Sequence, residues 1–181
     1  MAGFKYAGNI KDQETAREDV IIANSETITI GDVIVVSGGY ATEGGAATLI
    51  FGVAEGFVDT KGIDLANAPT SNYDGTYTDG GVGVGTYVAT SDNQTDKKVA
   101  VRVNVDPYAL WKNTADEAIA ITDQYQHFKC VAAGDQIDGN TNSATIGSMQ
   151  LWKFQPDIGD ATTDGLFRIS GSQLYTYETE A

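Results

Sequence analysis

"KVAVRVNV", Lys98 to Val105, decides the architecture. Val99, Val101, Val103 and Val105 recur at every second position, with Lys98, Ala100, Arg102 and Asn104 between them. A β-strand sends successive side chains to opposite faces, so this spacing makes one apolar face and one largely polar face. On a helix the same valines would spread around the cylinder and leave no face to pack. The segment is read as a strand with Val101 in a core.

The neighbouring stretches repeat the pattern. In "SETITIGDVIVVSGG" (25–39), Ile28 and Ile30 alternate with Thr27 and Thr29; "IGD" breaks the run, and "VIVV" resumes as a more fully buried strand. "SGG" and "TEGG" mark turns, and "ATLIFGVAEGFV" (47–58) returns as β material interrupted by Gly52 and Gly56. Residues 59–81, with "NAPTSNYDGTYTDGG", read as a polar surface excursion before "VGVGTYVA" resumes the β pattern. Beyond residue 105, aromatic-rich strands alternate with Gly and Asp turns, and only "TADEAIAI" (114–121) has a helical reading. Short strands at intervals of roughly 8–12 residues predict an all-β fold, a compact sandwich or barrel-like domain or domains. Residues 1–27 read as an extended N-terminal arm, with Phe4 and Tyr6 at its tip, because "GNIKDQETARED" offers no apolar face to pack. Residues 28–104 and 105–181 read as two β-rich parts, either separate or continuous. An arm of that kind is dispensable to the folding of the body behind it.

The totals narrow the function. Eleven Lys and Arg against 25 Asp and Glu give a formal charge of −14, which argues against binding nucleic-acid phosphates and favours docking on a basic surface. Glycine, 21 of 181 residues, exceeds the average of about 7% while Pro numbers only three, a balance suited to tight turns rather than disorder. A single cysteine, Cys130, cannot form an internal disulfide or a multi-cysteine zinc site. "MAGFKYAGNIKDQETARED" lacks a signal-peptide core, and no apolar run approaches the 18 or so residues of a membrane span. A soluble protein made in a reducing cytoplasm is expected.

Catalytic chemistry finds few residues to use. His127 and Cys130 in "YQHFKC" are separated by an odd offset, which points them to opposite faces of a strand, so a buried Cys with a surface His is expected. "GGVGVGTY" (80–87) lacks the Lys-Ser/Thr pair and the following helix of a phosphate loop. "DNQTD" (92–96), "DQIDGN" (135–140) and "DIGDATTD" (157–164) could offer oxygen ligands to calcium, but none has EF-hand spacing, and solvated turns are the simpler reading. Trp111 and Trp152 each precede a lysine in a strand-like context, either as core tryptophans beside exposed lysines or as part of a sugar platform. No catalytic residue, metal ligand or cofactor is assigned.

"FKYAGN", the polar stretch after it, "SETITIGDVIVVSGG" and "IFGVAEG" together resemble the decoration (cement) proteins of tailed-bacteriophage heads. "KVAVRVNVDPYALWKNTADEAIAITD" and "GLFRISG" look like the distal β part of such a protein. The resemblance implies a non-enzymatic protein on the outer surface of the virion capsid, made in the host cytoplasm. Its partner would be the major capsid protein, whose neighbouring subunits it would bridge and stabilise, with a homotrimer as the preferred assembly and no nucleic-acid or membrane partner. Phe4, Lys5 and Tyr6 are the candidate capsid contacts, since aromatics anchor interfaces. Two other classes stay open: a calcium- or carbohydrate-binding β module for virion or cell-surface adhesion, and a hydrolase.

Overall fold

Val99, Val101, Val103 and Val105 are all at most 3% exposed and lie in one hydrophobic cluster, as their alternation requires. The structure, a computed structural model, describes residues 3–47, 49–81, 84–95, 97–154, 164–170 and 173–174. Thirteen strands occur among them. In chain order they are β1 (Lys5–Asn9), β2 (Arg17–Ile21), β3 (Thr27–Thr29), β4 (Val33–Ser37), β5 (Tyr40–Glu43) and β6 (Gly52–Val58). There follow β7 (Thr76–Asp79), β8 (Gly85–Val88), β9 (Ala100–Asn104), β10 (Ala109–Thr114), β11 (His127–Phe128), β12 (Met149–Phe154) and β13 (Asp164–Ile169). The all-β class predicted from the strand patterns is the class observed, and all the strand pairs within the sheets are antiparallel.

Three sheets stack through two cores. Sheet I has the order β1-β10-β13-β12-β11, sheet II the order β2-β9-β6-β4-β5, and sheet III the order β3-β8-β7. Sheet II is the central layer, and alternation within its own strands shows why. Val33 and Val53 join Trp111, Phe128, Leu151 and Phe167 of sheet I in one core, whereas the next residues along, Ile34 and Ala54, join Ile28 and Tyr87 of sheet III in the other. β4 and β6 are thus apolar on both faces, which is why "VIVV" reads as a continuous apolar run. At the β2–β9 edge sheet II keeps a polar side: Arg102 pairs with Asp19, while Glu55 takes both Arg17 and Asn104.

Gly52 shows how closely the strands approach. A Cβ there would overlap the carbonyl oxygen of Asn104 and a methyl of Val103, so the position has room for hydrogen alone.

Two expectations need correction. The first 27 residues are not an arm standing off a body. β1 is the edge strand of sheet I, with Lys5 opposite Lys112 and Tyr6 opposite Trp111, and β2 pairs along β9 from Arg17–Asn104 to Ile21–Ala100. Phe4 is 3% exposed inside the core between sheets I and II. A segment without an apolar periodicity of its own is held by main-chain pairing and by one buried ring. Sheet I therefore draws on both ends of the chain, whereas sheets II and III use residues 17–104. The second correction is to "TADEAIAI". Thr114 pairs with Asp164, Ala115 bridges to Ile137, and the Asp116 N–H bonds the Ile137 carbonyl, so the backbone groups a helix would use are committed to strand-like partners. The short 3₁₀ turn Ile121–Asp123 ends the stretch.

The excursion at 59–81 is organised at its root. The buried Asp59 accepts from the N–H groups of Lys61 and Ile63 and from the Asn72 side chain, while Leu65 and Tyr73 reach the core. The same stretch supplies β7, a strand the turn-rich composition concealed.

Candidate functional site

Sheet I packs one face on sheet II and turns the other outward. Cross-strand register puts Lys5, Lys112, Leu166 and Lys153 in one row across that outward face. A second row holds Arg168, Gln150 and His127. These side chains are exposed or half-buried, and none belongs to either core.

Trp152 gives the face its aromatic feature. Leu151 pairs with Phe167 and Lys153 with Leu166, so the register slips and Trp152 becomes the extra residue of a bulge. Its ring is half-buried, with Tyr125 edge-on at 5.9 Å and the Arg168 guanidinium 5.0 Å from its centre. Arg168 is oriented by its Nε donating to Gln150 Oε1 at 2.7 Å. Tyr125 is 55% exposed, and the turn residues Ile121 and Ile146 are 69% and 57% exposed. Trp, Tyr and Arg are the residue types that dominate protein interfaces, because they combine large apolar area with directed polar groups.

The two tryptophans, read alike from sequence, have different settings. Trp111 is 1% exposed in the core and Lys112 points out, as the alternation predicts. The bulge takes Trp152 away from the core position that the parallel "LWK" triplet suggests. Only the pairing partners of β12 reveal that slip.

The three residues proposed as capsid contacts are separated by their strand. Phe4 is in the core and unavailable to a partner. Tyr6 lies against Trp111 at 5.7 Å and is 47% exposed, while Lys5 points outward.

His127 and Cys130 fall on opposite sides, as their odd spacing implies. Cys130 is fully buried, with its Sγ 3.9 Å from the buried Ser148 hydroxyl, and burial pushes the thiol up to about 12. His127 is half-buried on the outer face beside Gln150, and burial, then Arg168, lowers its pKa. A protonated thiol facing the core and a ring facing outward make no nucleophile–base pair.

The acidic loops are structured from within. Asn93, at the centre of "DNQTD", is 1% exposed. Its Nδ2 donates to the carbonyls of Ile22 and Val99, and its Oδ1 accepts from the Val99 N–H and the Tyr87 hydroxyl. In "DQIDGN", Asp138 caps its own turn by accepting from Asn140 N–H. Residues 157–163 of the third loop lie outside the described residues. Among the described residues no three His, Cys, Asp or Glu side chains group as metal ligands.

One further cavity, about 390 Å³, opens between sheets II and III and is lined by Glu55, Phe57, Asp64, Tyr77 and Asp79. Glu55 is already engaged by Arg17 and Asn104. No family model, curated protein or solved structure matches the chain.

Proposed function

We propose that this chain is a non-enzymatic decoration protein of a bacteriophage head, seated on the outer surface of the capsid. There it bridges neighbouring major capsid protein subunits, preferably as a homotrimer. The observation that carries the reading is the outward face of sheet I, a broad strand surface with an aromatic–Arg centre that joins neither core of its own chain. The sequence resemblance of "FKYAGN", "SETITIGDVIVVSGG" and "IFGVAEG" supports it from a separate direction. Burying apolar surface at a subunit junction stabilises it by roughly 25 cal/mol per Å² before ordering costs, and repetition over a lattice multiplies a modest contact.

We place the anchor on this face rather than on a free arm, because β1 is paired into sheet I. Phe4 completes the protein's own core, so the contact surface consists of strand residues held in place before docking.

The test is reconstitution. Purified protein added to undecorated heads should bind to a fixed stoichiometry and raise the temperature at which they release their contents. Heads that take up no protein and gain no resistance would end the proposal. A carbohydrate-binding module is the second reading, favoured by the exposed Tyr125 beside Trp152 on a polar face. Saturable binding on a glycan array, without binding to heads, would establish it instead.

A further inference from the structure

The charges of sheet I run against those of the rest of the molecule. Its five strands hold four of the eleven Lys and Arg residues, Lys5, Lys112, Lys153 and Arg168, and one of the 25 acids, Asp164. The rest of the chain keeps 7 cations against 24 acids, a formal −17. Lys5 and Lys112 stand directly opposite each other on paired strands, an arrangement that is unfavourable when nothing neutralises it. Asp164 approaches Lys112 at 3.7 Å, and no ion pair to Lys5 or Lys153 is found among the described residues.

We infer that the outward face of sheet I is a docking surface for an acidic protein surface, with Lys5, Lys112, Lys153 and Arg168 as the recognition cations and Trp152 and Tyr125 as the apolar anchor. The inference rests on the decoration reading and names the chemistry of the partner: carboxylate-bearing patches on the outside of the shell. Charge complementarity selects this occupant. An acidic surface relieves the Lys5–Lys112 opposition, and the −17 carried by the rest of the chain disfavours approach of the same partner away from these strands. Arg168 supplies fixed geometry, since its guanidinium is already stacked on Trp152 and bonded to Gln150.

The composition alone points the other way, because −14 overall favours a basic partner. The face that docks need not carry the sign of the whole.

The experiment measures binding to undecorated heads by the full chain, by Lys5→Glu/Lys153→Glu, and by a control with the same charge change outside sheet I, Lys61→Glu/Lys98→Glu. All four lysines are exposed, so these variants are expected to fold. The face variant should bind at least tenfold more weakly, the control within twofold of the original, and Lys5→Gln/Lys153→Gln between them. Binding of the original chain should weaken as salt rises from 50 to 300 mM, since exposed charges are screened beyond about 8 Å near physiological ionic strength. Heads bound equally by the face variant and the original would overturn the inference while leaving the decoration reading intact. Equal losses in face variant and control would also overturn it, because net charge would then be the cause. Sedimentation showing that the free chain self-associates through these lysines would assign the face to a second copy and overturn it. An original chain that ignores heads would remove the decoration reading and this inference together.

Discussion

Asp32 Oδ2 accepts a hydrogen bond from the Thr29 N–H at 2.6 Å while only 5% of Asp32 is exposed. The bond closes the "TIGD" turn between β3 and β4. Burial raises the carboxyl to about 7 against the opposing pull of that bond, and Glu43 and Asp135 raise it further. Glu43 is itself raised by burial, then by Glu26 and Asp135. Each of these neighbours is acidic.

The sign of the pH dependence follows. A carboxyl near 7 in the fold and about 3.9 in the unfolded chain takes up a proton on folding between those values. Its contribution is fully present below about 3.9 and is lost as pH rises through 7. The unfolding free energy from urea titrations should therefore increase as pH falls from 8 to 5, by on the order of 2 kcal/mol. Asp32→Asn keeps an acceptor for Thr29 and should flatten that slope while raising stability at pH 8. An unchanged slope in the variant would assign the effect to the overall charge.

Deleting residues 1–9 should unfold or strongly destabilise the protein. The deletion removes β1 from the edge of sheet I and Phe4 from its core, and loss of a buried Phe alone costs about 3–5 kcal/mol. Thermal melts of the truncated chain check this; an unshifted midpoint would restore the free-arm description.

Asn93→Ala should cost about 3 kcal/mol although Asn93 lies in a polar loop. The change leaves the Ile22 carbonyl and the Val99 N–H buried without their side-chain partner. Asn93→Asp should be no milder, because a carboxylate cannot donate to Ile22. Chemical denaturation of both variants measures the difference.

Gly52→Ala should destabilise by about 1–3 kcal/mol through overlap with Asn104 and Val103. Gly62→Ala, at φ +74° but with open space around it, should cost less and only through backbone strain. A reversed order of the two melting temperatures would contradict the spacing between β6 and β9.

Cys130 should resist alkylation at pH 8 in the native protein and react fully in denaturant, given its complete burial and raised thiol. Mass spectrometry after brief exposure to iodoacetamide reads the outcome directly. Rapid native labelling would place the thiol outside the core.

What could be read from the chain was whatever depends on neighbours two residues apart. Val99 to Val105 declare their face because alternation is local, and His127 and Cys130 declare opposite faces for the same reason. What could not be read depends on partners far along the chain. Nothing near Lys5 announces Lys112, and a polar segment such as Arg17–Ile21 becomes a strand because β9 offers a paired edge. The outward position of Trp152 was hidden for a related reason, since a bulge exists only relative to the strand beside it. The lysine row was invisible too: Lys5, Lys112 and Lys153 fall in one row only once three separate registers are known.

The placement of β1 beside β10 also sets a timetable. On the ribosome Phe4 emerges well before Trp111, Leu151 and Phe167, the residues it packs with in the core. Sheets II and III can assemble from residues 17–104 while the leading strand waits. Closing so large a loop is slow compared with forming local hairpins, so docking of β1 belongs among the last steps of maturation. Until it docks, the nascent protein shows an open strand edge and an unfilled hydrophobic slot, the features by which chaperones and aggregation compete for a new chain.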